Sequence, residues 1–208
     1  MEIETNAKSL IFTLDGNIGA GKSTVLEYIH LNYKLPVDLE PVNKWQTYLD
    51  DMYKNNKSGF EFQVRVWLDR CWIQPKLHVL PMLMERSPYF QRNVFMPINH
   101  ENGRLSDREF ASLHEMYEKS NNIWIPNGYI YLRSDPKKCS ERINKRGRQS
   151  EENIPLDYLE KLHEFHEKAY LYAASLEYPI KVINMEGKPI SKIAEEIMEV
   201  VEELKLVN

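Results

Sequence analysis

Leu10-Ile11-Phe12-Thr13-Leu14-Asp15-Gly16-Asn17-Ile18-Gly19-Ala20-Gly21-Lys22-Ser23-Thr24-Val25-Leu26-Glu27-Tyr28-Ile29 runs from an apolar stretch, through a glycine-rich loop, into an amphipathic one. Residues 10–14 predict a buried strand, and residues 23–29 a helix. Between them, residues 16–24 fit G-x-x-x-x-G-K-[ST], the loop whose backbone N–H groups wrap the phosphates of a nucleotide. Gly16, Gly19 and Gly21 carry no Cβ to block the approach of an anion. The helix that follows adds the positive end of its dipole. In this reading Asn17, Ile18, Ala20 and Thr24 complete the cradle. Lys22 reaches the outer phosphates, and the Ser23 hydroxyl ligates Mg²⁺. The stretch predicts a nucleoside triphosphate site.

Outward from that loop, strand-like runs alternate with longer helical patterns, as in an α/β fold with a parallel sheet. Further strands are expected at 36–39, 81–84, 128–132 and 180–183. Helices are expected at 43–53, 60–80 (broken or kinked by Pro75), 88–96, 106–120, 136–146, after Pro155, and at 189–204. The 208 residues suit one domain over 1–208 with no linker or repeat. No apolar run is long enough to span a bilayer, and the acidic N-terminus lacks a signal-peptide core, so an intracellular, cytoplasmic, soluble protein is expected. Cys71 and Cys139 are isolated and read as reduced thiols. The net charge of -4 argues against a general nucleic-acid partner.

Ligands of open α/β sheets sit beyond the carboxyl ends of the strands. There this chain places Glu40 after the second strand and Glu85-Arg86-Ser87 after the third. A carboxylate, a guanidinium and a hydroxyl around one phosphate site suit phosphoryl transfer. Residues 133–148 hold seven Lys/Arg. Lys138, Arg142 and Arg146 fall on one helical face, and Arg148 extends it towards Gln149–Asn153, so an arginine-bearing lid at about 142–154 is expected. The segment His163-Glu164-Phe165-His166-Glu167 is not H-E-x-x-H and reads as a wet helix surface. Residues 195–204 read as a solvated acidic face.

The motifs GNIGAGKST (16–24), EPVNKW (40–45), FEFQ (60–63), MERSPYFQRNVF (84–95) and RINKRGRQSEENIPLDYLEKLH (142–163) stand in one order across the chain. In this the chain resembles the deoxynucleoside kinase family, which holds the deoxycytidine, deoxyguanosine and mitochondrial-type thymidine kinases and the insect multisubstrate enzyme. The resemblance implies a five-stranded parallel sheet flanked by helices, the P-loop kinase fold, ATP and Mg²⁺ as cofactors, and a homodimer. It implies that Glu40 is the general base for the 5′-hydroxyl, and that Arg86 holds that hydroxyl and stabilises the transferring phosphoryl. It gives Glu85 a place near Mg²⁺, and Arg142, Arg146 and Arg148 the role of lid arginines over the ATP phosphates. Gln63 matches the base-reading glutamine, Trp45, Phe62 and Phe95 match the pocket walls, and Tyr53 and Glu151 match the pair on the sugar 3′-hydroxyl. Arg70 matches an arginine that in the deoxycytidine and deoxyguanosine kinases pairs with an aspartate, yet the aspartate's position is Gln91 here. A neutral glutamine can serve either a pyrimidine or a purine edge, and a broad or pyrimidine-preferring enzyme is favoured.

Three other readings fit less well. A monophosphate kinase of the thymidylate kinase type shares loop and sheet, but Glu40 would repel a phosphorylated acceptor. A nucleotide-binding switch protein would want N/T-K-x-D, which Asn43-Lys44-Trp45-Gln46 does not supply. The zinc-bearing, tetrameric thymidine kinase class needs more than two scattered cysteines.

Overall fold

The computed structural model describes residues 10–55, 58–72, 81–120, 123–148, 151 and 154–206. Five parallel strands form one sheet: β1 (Ile11–Gly16), β2 (Val37–Asp38), β3 (Met82–Glu85), β4 (Gly128–Arg133) and β5 (Ile180–Asn184), in the order β2-β3-β1-β4-β5. β1 is central, with Leu14 in register with Glu85 of β3 and Ile130 of β4. β1 and β3 are neighbours whose connections leave in opposite directions, to β2 and to β4. Their carboxyl ends therefore flank the crevice where such sheets bind ligands.

Both faces of the sheet are covered. On one, α1 (Lys22–Tyr33) and α9 (Ile190–Lys205) pack Leu26, Ile29, Ile197 and Val201 against Phe12, Leu14 and Ile130. The acidic residues of α9 face outwards, as their spacing requires. On the other, Tyr129 and Tyr131 of β4 meet Phe90, Ile98, Tyr158 and Leu162. These come from α4 (Pro88–Phe90), α5 (Met96–Glu101) and α8 (Leu156–Ser175). The remaining helices are α2 (Val42–Tyr53), α3 (Phe60–Val66), α6 (Asp107–Lys119) and α7 (Pro136–Arg146).

Helix ends follow local chemistry. Ser106 and Glu109 form a capping box at α6, and Asp135 accepts the N–H groups of Lys137 and Lys138 at α7, with Pro136 in the first turn. Gly147 ends α7 in the left-handed conformation. α1 is the informative exception. Gly21 precedes it in the left-handed conformation with no side-chain cap, which leaves the first N–H groups of the helix to an anion.

Two helical expectations need correction. α3 is α-helical only to Val66 and continues as a π-helix over Trp67–Trp72; the expected break at Pro75 lies outside the described residues. The helix expected at 88–96 runs on to Glu101, through a π segment at Gln91–Phe95 and past Pro97. The second wide turn sets Gln91 and Phe95 against the cavity, a common place for such bulges.

Candidate active site

The loop Gly16–Thr24 wraps back on itself. Lys22 Nζ donates to the carbonyls of Gly16 (3.1 Å) and Asn17 (2.9 Å). Asn17 ties the loop to α8 by donating to Leu159 O at 2.8 Å. Two glycines are sterically required: a Cβ on Gly16 would lie 2.6 Å from Leu132 O, and one on Gly19 2.5 Å from Cys139 O. Burial pushes the Lys22 ammonium down to about 8; Arg86 adds to this, and Glu85, Glu40 and Asp15 oppose it.

Glu40, Glu85 and Arg86 converge beside the loop. Arg86 Nε stands 2.6 Å from Glu40 Oε1, with both side chains largely buried. Arg86 Nη1 donates to Gly16 O at 3.1 Å, and its guanidinium covers the Phe95 ring at 4.3 Å. Burial works against the Arg86 charge, yet Glu40, Glu85 and Asp15 outweigh it and raise its pKa. Ser23 Oγ lies 3.0 Å from each oxygen of Glu85. The Glu40 N–H donates to Glu85 Oε2 at 3.2 Å. A hydroxyl and a carboxylate beside a phosphate cradle suit Mg²⁺, which takes few protein ligands and keeps waters and phosphate oxygens. Among the described residues no three or more His, Cys, Asp or Glu gather as a metal site.

A cavity of about 290 Å³ opens from this cluster. Its apolar walls include Trp45, Leu49, Met52, Phe62, Val66 and Phe95, and Tyr53, Gln91, Asn99 and Glu151 also line it. Trp45 is fixed by donating Nε1–H to Asp69 Oδ2 (2.8 Å) and by an edge contact with Phe62. Tyr53 packs edge-on against Tyr158, and burial raises its pKa well above the usual value. Gln63 lies buried behind the wall: Gln91 Nε2 donates to its Oε1 at 2.7 Å, and its own Nε2 is unpartnered.

The structure gives several residues singled out in the sequence the following partners. Arg70 does not meet Gln91. It donates to Asp38 Oδ2 (3.0 Å) and Glu85 O (2.6 Å), because the π-helical turn aims it at β2 and β3. Lys138 pairs with Glu141 at 3.0 Å, and Arg142 donates to Ser134 Oγ at 2.7 Å and, at 3.5 Å, to Gly19 O of the phosphate loop. Of the expected lid arginines, Arg146 and Arg148 line the cavity, and both pair with Glu151; Gln149, Ser150, Glu152 and Asn153 lie outside the described residues. His166 is not on a wet surface. It is fully buried in a cluster with the Phe90 and Tyr131 rings, and burial lowers its pKa well below the usual value.

Asp15, Asp38, Asp69 and Asn99 were not singled out from the sequence. Only Asp15 carried a signal there, an acid ending an otherwise apolar strand one residue before the loop.

Comparison with known proteins bears on the family and the fold. The family described as "Deoxynucleoside kinase" matches residues 12–207. The chain is 32% identical to human mitochondrial thymidine kinase 2, over 80% of its own length and 66% of that protein's, just under two thirds. It is 32% identical to deoxycytidine kinase 2 of Gallus gallus, over 83% and 81% of the two lengths. A structure of deoxyadenosine kinase from M. mycoides, solved with dCMP and a flexible dCDP, superposes with a TM-score of 0.81 over 94% of this chain and 100% of that one. At 24% identity that likeness speaks for the fold.

Proposed function

Because the chain belongs to the deoxynucleoside kinase family, we propose that it moves the γ-phosphoryl of ATP to the 5′-hydroxyl of a deoxyribonucleoside through the Glu40–Arg86 pair. The observation that carries this reading is that pair, 2.6 Å apart, standing between the phosphate loop and an apolar cavity. The nucleoside fills the cavity with its base against Trp45, Phe62 and Phe95 and its 5′-oxygen at Glu40. Glu40 accepts the hydroxyl proton as the oxygen forms its bond to phosphorus, and the diphosphate departs held by the loop. Arg86 stays charged and faces the equatorial oxygens, where negative charge concentrates. Lys22 turns from its own loop carbonyls to the phosphates, and Arg146 and Arg148 exchange Glu151 for them. Ser23 and Glu85 would hold Mg²⁺, which would neutralise phosphate charge. Glu40 favours an uncharged acceptor over a nucleoside monophosphate.

Base choice falls to Gln91, which lines the cavity, oriented from behind by Gln63, and a broad or pyrimidine-preferring enzyme fits the thymidine and deoxycytidine kinases among the relatives. A homodimer belongs to the same reading, supported by Leu171, Tyr172, Leu176 and Tyr178, apolar side chains exposed near the end of α8. Two buried, unpaired thiols, Cys71 and Cys139, suit the reducing cytoplasm. The test is turnover of the four deoxynucleosides with ATP and Mg²⁺. Formation of 5′-monophosphates supports the reading, and turnover of monophosphates alone rejects it.

A further inference from the structure

Arg86 is held in a backbone conformation that L-residues avoid. Its φ is +68°, and among the described residues only Lys34 and Glu177 share that property without being glycine. Lys34 ends a helix and Glu177 lies in a turn, where such angles are common. Arg86 sits at the phosphate site, where strain persists only if its surroundings over-determine it.

Those surroundings are the last three residues of β1. The Arg86 N–H donates to Leu14 O at 3.0 Å, the Ser87 N–H donates to Asp15 Oδ1 at 2.9 Å, and Arg86 Nη1 donates to Gly16 O at 3.1 Å. Two of these acceptors are carbonyls that any sequence supplies. The third is a side chain, and an expensive one. Asp15 is fully buried, its Oδ2 has no partner, and burial raises its pKa to about 6. An apolar residue would suit the interior of β1 better. The hydroxyl of Ser87 serves elsewhere, accepting the Phe90 N–H as a helix cap.

We infer that Asp15 is a positioning residue, clamping the Arg86–Ser87 turn through the Ser87 N–H so that the Arg86 guanidinium faces Glu40 and the phosphate loop. Asp15 directly precedes Gly16, so one short segment sets both the phosphate cradle and the arginine. The inference deepens the proposed function and rests on its assignment of Arg86 to the transferring phosphoryl.

The test is a double-mutant cycle on the full chain with ATP and a deoxynucleoside. Asp15→Ala should lower kcat by about 10- to 100-fold, as expected for a misplaced catalytic group, with KM for both substrates within about threefold. Asp15→Asn, which still offers an oxygen to the Ser87 N–H, should restore kcat to within about fivefold of the unaltered protein. In an Arg86→Ala background, Asp15→Ala should cause no further loss, since the two changes remove one function. If Asp15→Ala does not fold, Asp15→Val, a strand-compatible side chain with no oxygen, takes its place. Unchanged kcat in Asp15→Ala, failure of Asp15→Asn to restore it, or an undiminished loss in the Arg86→Ala background overturns the clamp. If Arg86→Ala itself keeps full kcat, the proposed mechanism falls and the clamp with it.

Discussion

Replacing Glu40 with Gln separates chemistry from folding. The substitution keeps the shape and one oxygen for Arg86 Nε, now 2.6 Å away, but removes the proton acceptor. A positioned general base contributes about 10²- to 10⁴-fold to rate, so the barrier should rise by about 3 to 5 kcal/mol. The structural cost is smaller. An ion pair becomes a hydrogen bond from the charged guanidinium to a neutral amide oxygen, worth about 1 kcal/mol less, while Glu85 and Asp15 still offset the Arg86 charge. For 208 residues that lowers Tm by about 2 to 4 °C, leaving the protein folded at 25 °C. Steady-state kinetics, calorimetric nucleoside binding and a thermal melt are the assays. The expected pattern is kcat down at least about 100-fold, nucleoside Kd changed by less than about tenfold, and a small shift in Tm. A folded Glu40→Gln protein with kcat within about tenfold of the unaltered protein would refute Glu40 as the base.

Gln91→Asp would put an oxygen against Gln63 Oε1, so the Gln63 amide should turn over to donate to it, and a carboxylate would replace an amide at the cavity wall. The ratios of kcat/KM across the four deoxynucleosides should then shift by about tenfold, and an unaltered profile counts against base reading here. Asn99 lines the cavity, donates Nδ2–H to Phe95 O at 2.7 Å and keeps a buried Oδ1 without a partner. Asn99→Leu should raise the deoxynucleoside KM about fivefold and leave the ATP KM alone; an unchanged nucleoside KM means Oδ1 does not meet the substrate. Asp15 also gives a pH signature. Its folded pKa, about 6 against an ordinary 3.8, means the native state binds the extra proton between those values, so this group makes stability fall as pH rises from about 4 to 6. Asp15→Asn should therefore gain on the unaltered protein across that window, by at most about 3 kcal/mol, and parallel curves from chemical denaturation at pH 4 and pH 7 would rule this out.

Strand, loop and helix around residues 10–29 were legible because each is set by local chemistry: apolar runs, glycines where no Cβ fits, and a helix start left uncapped. The sheet was legible for the same reason, and so was the grouping of Glu40, Glu85 and Arg86, since parallel strands deliver their ends to one edge. The helix at 88–96 extended further than expected because the π segment lets a fresh α segment start at Met96, with Pro97 in its first turn. His166 escaped notice because a polar name in a helix says nothing of which face the aromatic rings will cover.

Sequence alone determined the nucleotide cradle, the α/β class and the motifs that carry the family, because these depend on neighbours a few positions away. Tertiary structure decided the partners. Arg70 went to Asp38 rather than Gln91 because a π-helical turn rotates the side chains that follow it, and Gln91 met Gln63 across 28 residues of chain. Asp15 met Ser87 across 72 residues, a contact that exists only because β1 and β3 lie side by side. Which polar groups end up paired, and which stay free for a ligand, depends on packing between distant segments, and no local pattern encodes it.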